Sequence, residues 1–472
     1  MSGKYKQLKI MVIGTLCITG LLLINLWYKS ANSPSKSPAI PVQTPGRILV
    51  IAPHPDDESL GTGGLISEAV SRGDQIKVIF MTNGDGSHYG VQKFIGHSEV
   101  KANDYLYYGR LRQKEAIQAV SKLDVKNKDI IFLGFPDQGL ARMWRDYWNP
   151  GRPYTSPQTK KSYVPYQLAT APGEAYTAPA LVNILVNIFR KYRPTAVYVT
   201  GTYDCHPDHW ATGAFTLFSV SRLEGSNPTF NPRIYTFDIH RPDRQRTYQD
   251  KTLLPPSYFL DNGDKCYTTP LSKEALANKR QALADYKTQI MVMPAFFKSM
   301  ERRSHEIFYL NKNKQIPEIN QILATPSDNN WPAGSLIAYN PVTNKKHKSS
   351  SVLKAAYLLG DSQSLKLRLT TQRNWTNKTT YLVNIYILPT LAEPEARRYS
   401  LKIIPQTQKY QWLTKPPGFD LPIKLGCQTN RVDIQISNLF LPNEKHIMLN
   451  IDSYVSDRII DRIPWDRLII KK

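Results

Sequence analysis

Two polar clusters constrain this chain more than any other feature. His54-Pro55-Asp56-Asp57-Glu58 follows the apolar run RILVIA, and His206-Pro207-Asp208-His209 follows the apolar run TAVYVT, far downstream. Histidine and aspartate gathered this densely at the ends of two apolar runs ask for a fold that brings two strand ends together. The prolines restrict the backbone where the side chains would have to converge. Asp and Pro are also ordinary turn and capping residues, so a single cluster would decide nothing. Two of them, each closing an apolar run, point to a metal site.

The surrounding pattern supplies the fold. RILVIA leads into the Gly-rich PHPDDESLGTGG and then a helical segment, LISEAVSRG. QIKVIFMTNG is a second apolar run ending in turn residues, and GRLRQKEAIQAVSKL places Leu111, Ala116, Ile117 and Val120 on one helical face. DIIFLGFPD is a third run; ALVNILVNIFRKYRP reads as a helix stopped near Pro194, TAVYVTG as a buried strand, and ATGAFTLFSVSRL as a helix. Strands alternating with helices predict a Rossmann-like α/β unit, with a mostly parallel sheet and helices on both faces. Chemistry in such sheets gathers at the carboxyl ends of the strands, where both clusters lie.

A catalytic zinc ion takes three protein ligands from His, Asp or Glu and keeps one position open. His54, Asp57 and His209 can supply that set. Water made acidic by a metal still needs a proton acceptor, for which Asp56 is the candidate. His206 can then stabilise the oxyanion or protonate the leaving group, with Asp208 orienting or charging that imidazole. Ligand type favours Zn2+, though histidine and carboxylate also suit Fe2+.

PHPDDE with a downstream HPDH closely resembles the signature of the LmbE-like or PIG-L family of zinc-dependent N-acetylglucosamine de-N-acetylases. TNGDG, Arg112-x-x-Glu115-Ala116, LGFPD ending at Asp137, KRQALADYKTQI and HEIFYL look like the same family, and the resemblance runs from about Arg47 to Leu310. It implies zinc on His54, Asp57 and His209, Asp56 as base, and removal of acetyl groups from N-acetylglucosamine-containing glycolipids or glycosides. Arg112 and Asp137 occupy positions resembling substrate-contacting ones. Alternatively, Arg112 pairs with Glu115 on its helix face and Asp137 closes a turn. Cys205, beside His206, reads as a small packing residue, because the ligand set is complete without it.

Between Asp137 and about Pro179 lies a long segment containing MWRDYWNPGRPY. Trp144, Tyr147, Trp148 and Tyr154 form either a sugar-stacking lid or an insertion packed on itself. Beyond a polar stretch, residues 311–340, the period-two runs SLKLRLT, TTYLVNIYIL, YSLKII, RVDIQIS and HIMLNID predict a C-terminal antiparallel β-sandwich-like domain over residues 341–472. It is an envelope- or glycan-binding accessory or a structural module, with Trp375, Trp412 and Trp465 as glycan platforms or core. Four cysteines, none in a C-x-x-C pair, exclude thiolate metal sites, and leave open whether Cys266 and Cys427 pair.

At the other end, Ile10 to Tyr28 carries no charge and is flanked by Lys4, Lys6, Lys9 and Lys29. At about 1.5 Å per residue it spans roughly 28 Å, close to the ~30 Å of a bilayer's hydrocarbon. Residues 1–29 therefore read as a cytoplasmic tail and transmembrane helix, with a cleaved signal peptide as the alternative. Residues 30–46, rich in Pro and Ser, read as a spacer, and 47–310 as the catalytic domain, outside the cytoplasm by the positive-inside rule.

The net charge of +23 is spread along the chain; from Pro341 to Lys472, 21 Lys and Arg against 10 Asp and Glu leave +11. Without a basic tail or a nucleic-acid motif, this charge suits an anionic surface and not a nucleic acid. The expected partners are thus the membrane and an N-acetylated amino-sugar glycan or glycolipid. Two other functions fit less well: a non-catalytic envelope glycan-binding protein, and a deacetylase of a small cytoplasmic glycoside.

Overall fold

A computed structural model describes residues 46–470 apart from 97, 228, 242–254, 256–264, 320–330, 333, 340–351, 389–395, 442–443, 445 and 457. The expected transmembrane segment lies outside these residues. No helix among the described residues is long and apolar enough to cross a membrane.

The first part alternates β1 (Arg47–Ala52), α1 (Asp57–Ser71), β2 (Gln75–Thr82), α2 (His88–Ile95), α3 (Ala102–Ser121), β3 (Ile130–Phe135), α4 (Leu140–Asp146), α5 (Ala178–Tyr192), β4 (Ala196–Thr200), α6 (Pro207–Ser226) and β5 (Arg233–Phe237). It continues with β6 (Lys265–Pro270), α7 (Lys273–Ala284), α8 (Lys287–Val292), α9 (Pro294–Met300) and β7 (His305–Asn311). The sheet order is β3-β2-β1-β4-β5-β7-β6. β1 to β5 are mutually parallel, whereas β7 runs antiparallel to β5 and β6 antiparallel to β7. This is the expected doubly wound α/β sheet with an antiparallel edge.

Strand alternation divides the core between the two faces. Ile48, Val50, Ala52, Val78 and Phe80 point to α1, α3 and α7, packing on Leu60, Ile66, Ala116, Val120 and Leu283. Leu49, Ile51, Ile79, Val197 and Val199 point the other way, to Leu181, Leu185, Phe215 and Phe218 of α5 and α6. Helix α5 starts at a Thr177 cap and ends on Arg193 in a left-handed conformation, immediately before Pro194.

One boundary differs from expectation. Helix α1 begins at Asp57, so most of the Gly-rich stretch is helical. A Cβ on Gly61 would lie 2.3 Å from Phe237, and one on Gly64 would lie 2.3 Å from Leu271. These glycines let neighbouring elements approach closely; they do not break the helix.

The C-terminal part comprises β8 (Lys314–Ile316), β9 (Leu336–Tyr339), β10 (Leu353–Gly360), β11 (Leu365–Thr371), β12 (Thr379–Ile387), β13 (Arg397–Ile404), β14 (Lys409–Thr414), β15 (Ile423–Gln428), β16 (Arg431–Ile436), β17 (His446–Val455) and β18 (Arg458–Ile470). Two sheets, β15-β16-β11-β10-β9 and β14-β13-β12-β17-β18-β8, enclose an apolar layer that includes Leu358, Leu367, Val383, Leu401, Ile434 and Ile451. Pairing is antiparallel except between β18 and β8. The polar stretch at 311–340 thus contributes β8 and β9 to the two sheets.

The sandwich is packed directly on the α/β unit. Trp144, fully buried, lies against Phe215 at 4.9 Å, Tyr386 at 5.1 Å and Trp465 at 5.2 Å between ring centroids. The Tyr386 hydroxyl donates to the Trp144 carbonyl. Trp144 is a core residue and the half-buried Trp148 packs against the same core, so neither forms a lid, and Tyr147 stacks edge-on with Tyr154 within the insertion. Trp465 is likewise core, while Trp375 and Trp412 pack partly against the sandwich interior. No disulfide joins Cys266 on β6 to Cys427 on β15. Cys205 is exposed, which removes the packing role expected for it.

Candidate metal centre

The turn after β1 and the N-terminus of α6, just beyond β4, meet at the carboxyl end of the sheet. Three atoms form a near-equilateral triangle: His54 Nδ1 to Asp57 Oδ2 is 3.1 Å, His209 Nε2 to Asp57 Oδ2 is 3.2 Å, and His209 Nε2 to His54 Nδ1 is 3.3 Å. Tetrahedral bonds of about 2.0–2.1 Å place ligand atoms roughly 3.3–3.4 Å apart, so the triangle fits one small divalent ion. A ring nitrogen of His206 lies within 4.8 Å of ligand atoms from His54 and His209. The set that includes Asp57 is the better ion site, because its carboxylate offsets the ion's charge.

The far nitrogen of each ligand histidine faces a carboxylate, which settles which nitrogen is left for a metal. His209 Nδ1 lies 3.1 Å from Asp204 Oδ2, an oxygen that also accepts the Ile239 and His240 amides. His54 Nε2 lies 3.1 Å from Asp137 Oδ1 and 3.4 Å from Asp208 Oδ2. Burial disfavours protonated His209, but Asp57 and Asp204 outweigh it and hold its pKa up to about 10. His54 is likewise raised against its burial, chiefly by Asp137.

His54, Asp137 and Asp208 form a second convergent set. Its carboxylates are already engaged: Asp137 Oδ2 accepts the Gly86 amide at 2.6 Å, and Asp208 accepts those of Gln138 and Leu140.

Asp56 is held in an unusual backbone conformation, φ 129° and ψ −32°. Such geometry costs of order 1–3 kcal/mol in a non-glycine residue and persists only where its surroundings enforce it. Here the Asp56 amide donates to Glu58 Oε2 at 3.1 Å, while Glu58 Oε1 accepts the Ser59 and Tyr286 hydroxyls. The Asp56 carboxylate has Arg112 Nη2 at 3.3 Å. Burial raises its pKa well above that of an ordinary carboxyl, with Arg112 pulling the other way.

Arg112 therefore does not pair with Glu115, which instead accepts the amide and hydroxyl of Thr288. It is buried and stands behind Asp56, with Nη1 donating to the Gly84 carbonyl and Nη2 also to that of Pro55, while its Nε has no hydrogen-bond partner among the described residues. Asp137 does more than close a turn, since it ties the Gly84–Gly86 loop to His54.

His206 caps α6, and its Nδ1 accepts the Asp208 amide at 3.3 Å. That contact assigns the imidazole proton to Nε2. Burial, then the nearby His54 and His209 charges, lower its pKa to about 3, so the ring is neutral. The Asp208 carboxylate does not orient this ring; it holds residues 138–140 and the His54 edge.

Three residues here were not singled out from the motifs. Asp204, two positions before His206, is recognisable in retrospect because metal-binding histidines need carboxylate partners. His240, stacked on Phe296 with its ring 4.9 Å from that of His209, arrives from the segment after β5 and has no motif. Asn83 is fully buried at the end of β2, with neither amide atom hydrogen-bonded among the described residues.

The sequence matches the family described as PIG-L, GlcNAc-PI de-N-acetylase, over residues 49–218. It is also 30% identical over 276 residues to the 1D-myo-inositol 2-acetamido-2-deoxy-alpha-D-glucopyranoside deacetylase of Mycobacterium sp. strain JLS, covering 56% of this chain and 79% of that protein. The chain belongs to the PIG-L family. A namesake from Rhodococcus erythropolis is 25% identical over 268 residues, covering 53% of this chain and 83% of that one. Another, from Mycobacterium sp. strain KMS, is 30% identical, with only 56% of its length spanned and 42% of this chain. Among solved structures, the N,N'-diacetylchitobiose deacetylase of Pyrococcus horikoshii aligns with a TM-score of 0.33 at 19% identity, covering 57% of this chain and 87% of that chain. The PIG-L match ends at Phe218, so the β-sandwich lies beyond it.

Proposed function

We propose that this PIG-L protein is a metal-dependent hydrolase that removes the N-acetyl group from an N-acetylglucosamine-containing glycan or glycolipid. The observation that carries this reading is the His54–Asp57–His209 triangle with Asp56 directly beside it. A bound Zn2+ or Fe2+ ion would be held by these three residues and would supply a Lewis acid that acidifies water and polarises a carbonyl.

The chain's own residues supply the rest. With a raised pKa, the Asp56 carboxylate is suited to take the proton shed by an attacking water near neutral pH and return it to the departing nitrogen. Arg112 moderates that rise and fixes the carboxylate. The neutral His206 ring presents Nε2–H to the oxygen that becomes negative as the acetyl carbonyl is attacked. Asp204, Asp137 and Asp208 hold the ligand rings in place.

The test is acetate release from a panel of N-acetylated glycosides, oligosaccharides and glycolipids, with and without chelator. Asp56→Asn should retain the metal and lose roughly 10²–10⁴ of turnover. Normal turnover by that variant would remove Asp56 as the base. No release from any substrate would favour a binding protein.

For location, we propose a single-pass membrane protein with its catalytic unit outside the cytoplasm, on the strength of the apolar stretch Ile10–Tyr28 and the lysines before it. A reporter fused after Lys472 decides this. Cytoplasmic signal would instead favour a small intracellular glycoside as substrate.

A further inference from the structure

At the opposite end of the sheet from the metal centre, where β1, β4 and β5 begin, is a groove of about 820 Å³. Among the described residues, five cations line it, Arg47, Arg193, Arg233, Lys312 and Arg467, and no carboxylate does. Arg467 is locally compensated by Glu224 at 3.0 Å, and the neighbouring Asp466 is taken by Lys314 at 2.8 Å. Among the described residues, Arg47, Arg193 and Lys312 have no acidic partner. Nor is Arg193 there by default. It occupies the left-handed position that ends α5, φ 52°, where glycine is the usual choice. In that conformation its carbonyl accepts Arg47 Nε at 2.7 Å, which fixes the Arg47 guanidinium at the groove's edge.

Arg47, Arg193 and Lys312, gathered in one concavity without a counter-charge among the described residues, repel one another, and a multiply charged anion would remove that cost. Arginine forks match phosphate oxygens in pairs. Asn231 and Asn313 provide side-chain amides of the kind that hydrogen-bond a polyol. We propose that this groove is a second binding site, for a phosphate group carried on a polyol. It is separated from the metal centre by the length of the strands, on the order of 20 Å for six residues. The phosphate could come from a lipid headgroup or from a soluble phosphorylated sugar or cyclitol.

The experiment is calorimetric titration of the full-length chain in neutral detergent. One arm uses inositol hexakisphosphate, and the other short-chain phosphatidylglycerol against short-chain phosphatidylcholine. Binding in either arm is expected to weaken at least about tenfold in Arg193→Glu/Lys312→Glu, equivalent to about 1.4 kcal/mol. A control of equal charge change on the sandwich, Lys409→Glu/Lys424→Glu, should stay within about twofold by the same conversion. Arg193→Gln/Lys312→Gln should show an intermediate loss, with acetate release unchanged as evidence of an intact fold. The arm that responds identifies the source of the phosphate. The proposal fails if neither probe binds the parent, if the control loses as much as the groove variant, or if binding is indifferent to Arg193 and Lys312, as phosphate held at the metal centre would be.

Discussion

Lys279 and Glu306 offer the sharpest test of how the scaffold supports the site. Their side chains are almost wholly buried, with Nζ and Oε1 2.6 Å apart. Lys279 Nζ also donates to the Leu60 carbonyl, while Glu306 accepts the Gly64 and Leu65 amides. Leu60 and Gly64 are ordinary partners across one helical turn, so the ion pair grips α1, the helix that begins with Asp57. At an effective dielectric of about 20, a 2.6 Å contact is worth roughly 6 kcal/mol before desolvation is counted.

Removing one partner strands the other charge, a loss of about 3–5 kcal/mol. Lys279→Met is therefore expected to lower unfolding stability by that amount in urea titrations at pH 7. Glu306→Gln should fall in the same range. The double variant should recover much of the loss, because replacing both charges removes the stranded ion. A single-variant loss below about 1 kcal/mol, or strictly additive losses, would refute the argument.

Other outcomes follow from the same contacts. Asp204→Asn should weaken metal affinity by roughly 10–100-fold, measured by equilibrium dialysis, since it loosens the Nδ1 side of His209; unchanged affinity would remove Asp204 as a positioning residue. Asp85, which accepts the Tyr166 hydroxyl, is pushed up to about 7 by burial first and then by the Asp137 charge. Below about pH 4 the group is protonated folded or unfolded, but as pH rises from about 4 to 7 the folded state loses up to roughly 4 kcal/mol by linkage, and the loss is constant above that. Asp85→Asn should therefore gain melting temperature over the parent at pH 8 and little at pH 4; an equal gain at both would contradict the shift. Trp144→Ala should cost about 3–5 kcal/mol in the same urea assay, because it empties the layer between the α/β unit and the sandwich.

The α/β pattern was readable because parallel strands buried on both faces are continuous apolar runs, and the helices between them carry a 3.6-residue period. The metal-binding trio was readable because chemistry limits which residues can ligate and both clusters end strands. Arg112 was harder to read, because a helical i,i+3 spacing with Glu115 is compatible with pairing and does not require it. Its guanidinium turns to Asp56 instead, as the structure closes around the turn after β1. The aromatic insertion was ambiguous for a similar reason: Trp144 and Trp148 look alike in a lid and in a core. Their burial depends on a sandwich that comes more than 200 residues later.

What the sequence determined by itself is therefore the chemistry available: two histidines and a carboxylate able to hold an ion, an adjacent aspartate, and strands whose ends can carry them. The tertiary structure decided which carboxylate serves which histidine: Asp204 on His209, and Asp137 with Asp208 on His54. It also decided that Asp56 sits at φ 129° under the hold of Glu58 and Arg112. The physical reason is range. Apolar periodicity and ligand type are local properties of the chain, whereas the partner of a buried charge is whichever group the folded backbone brings within about 3 Å.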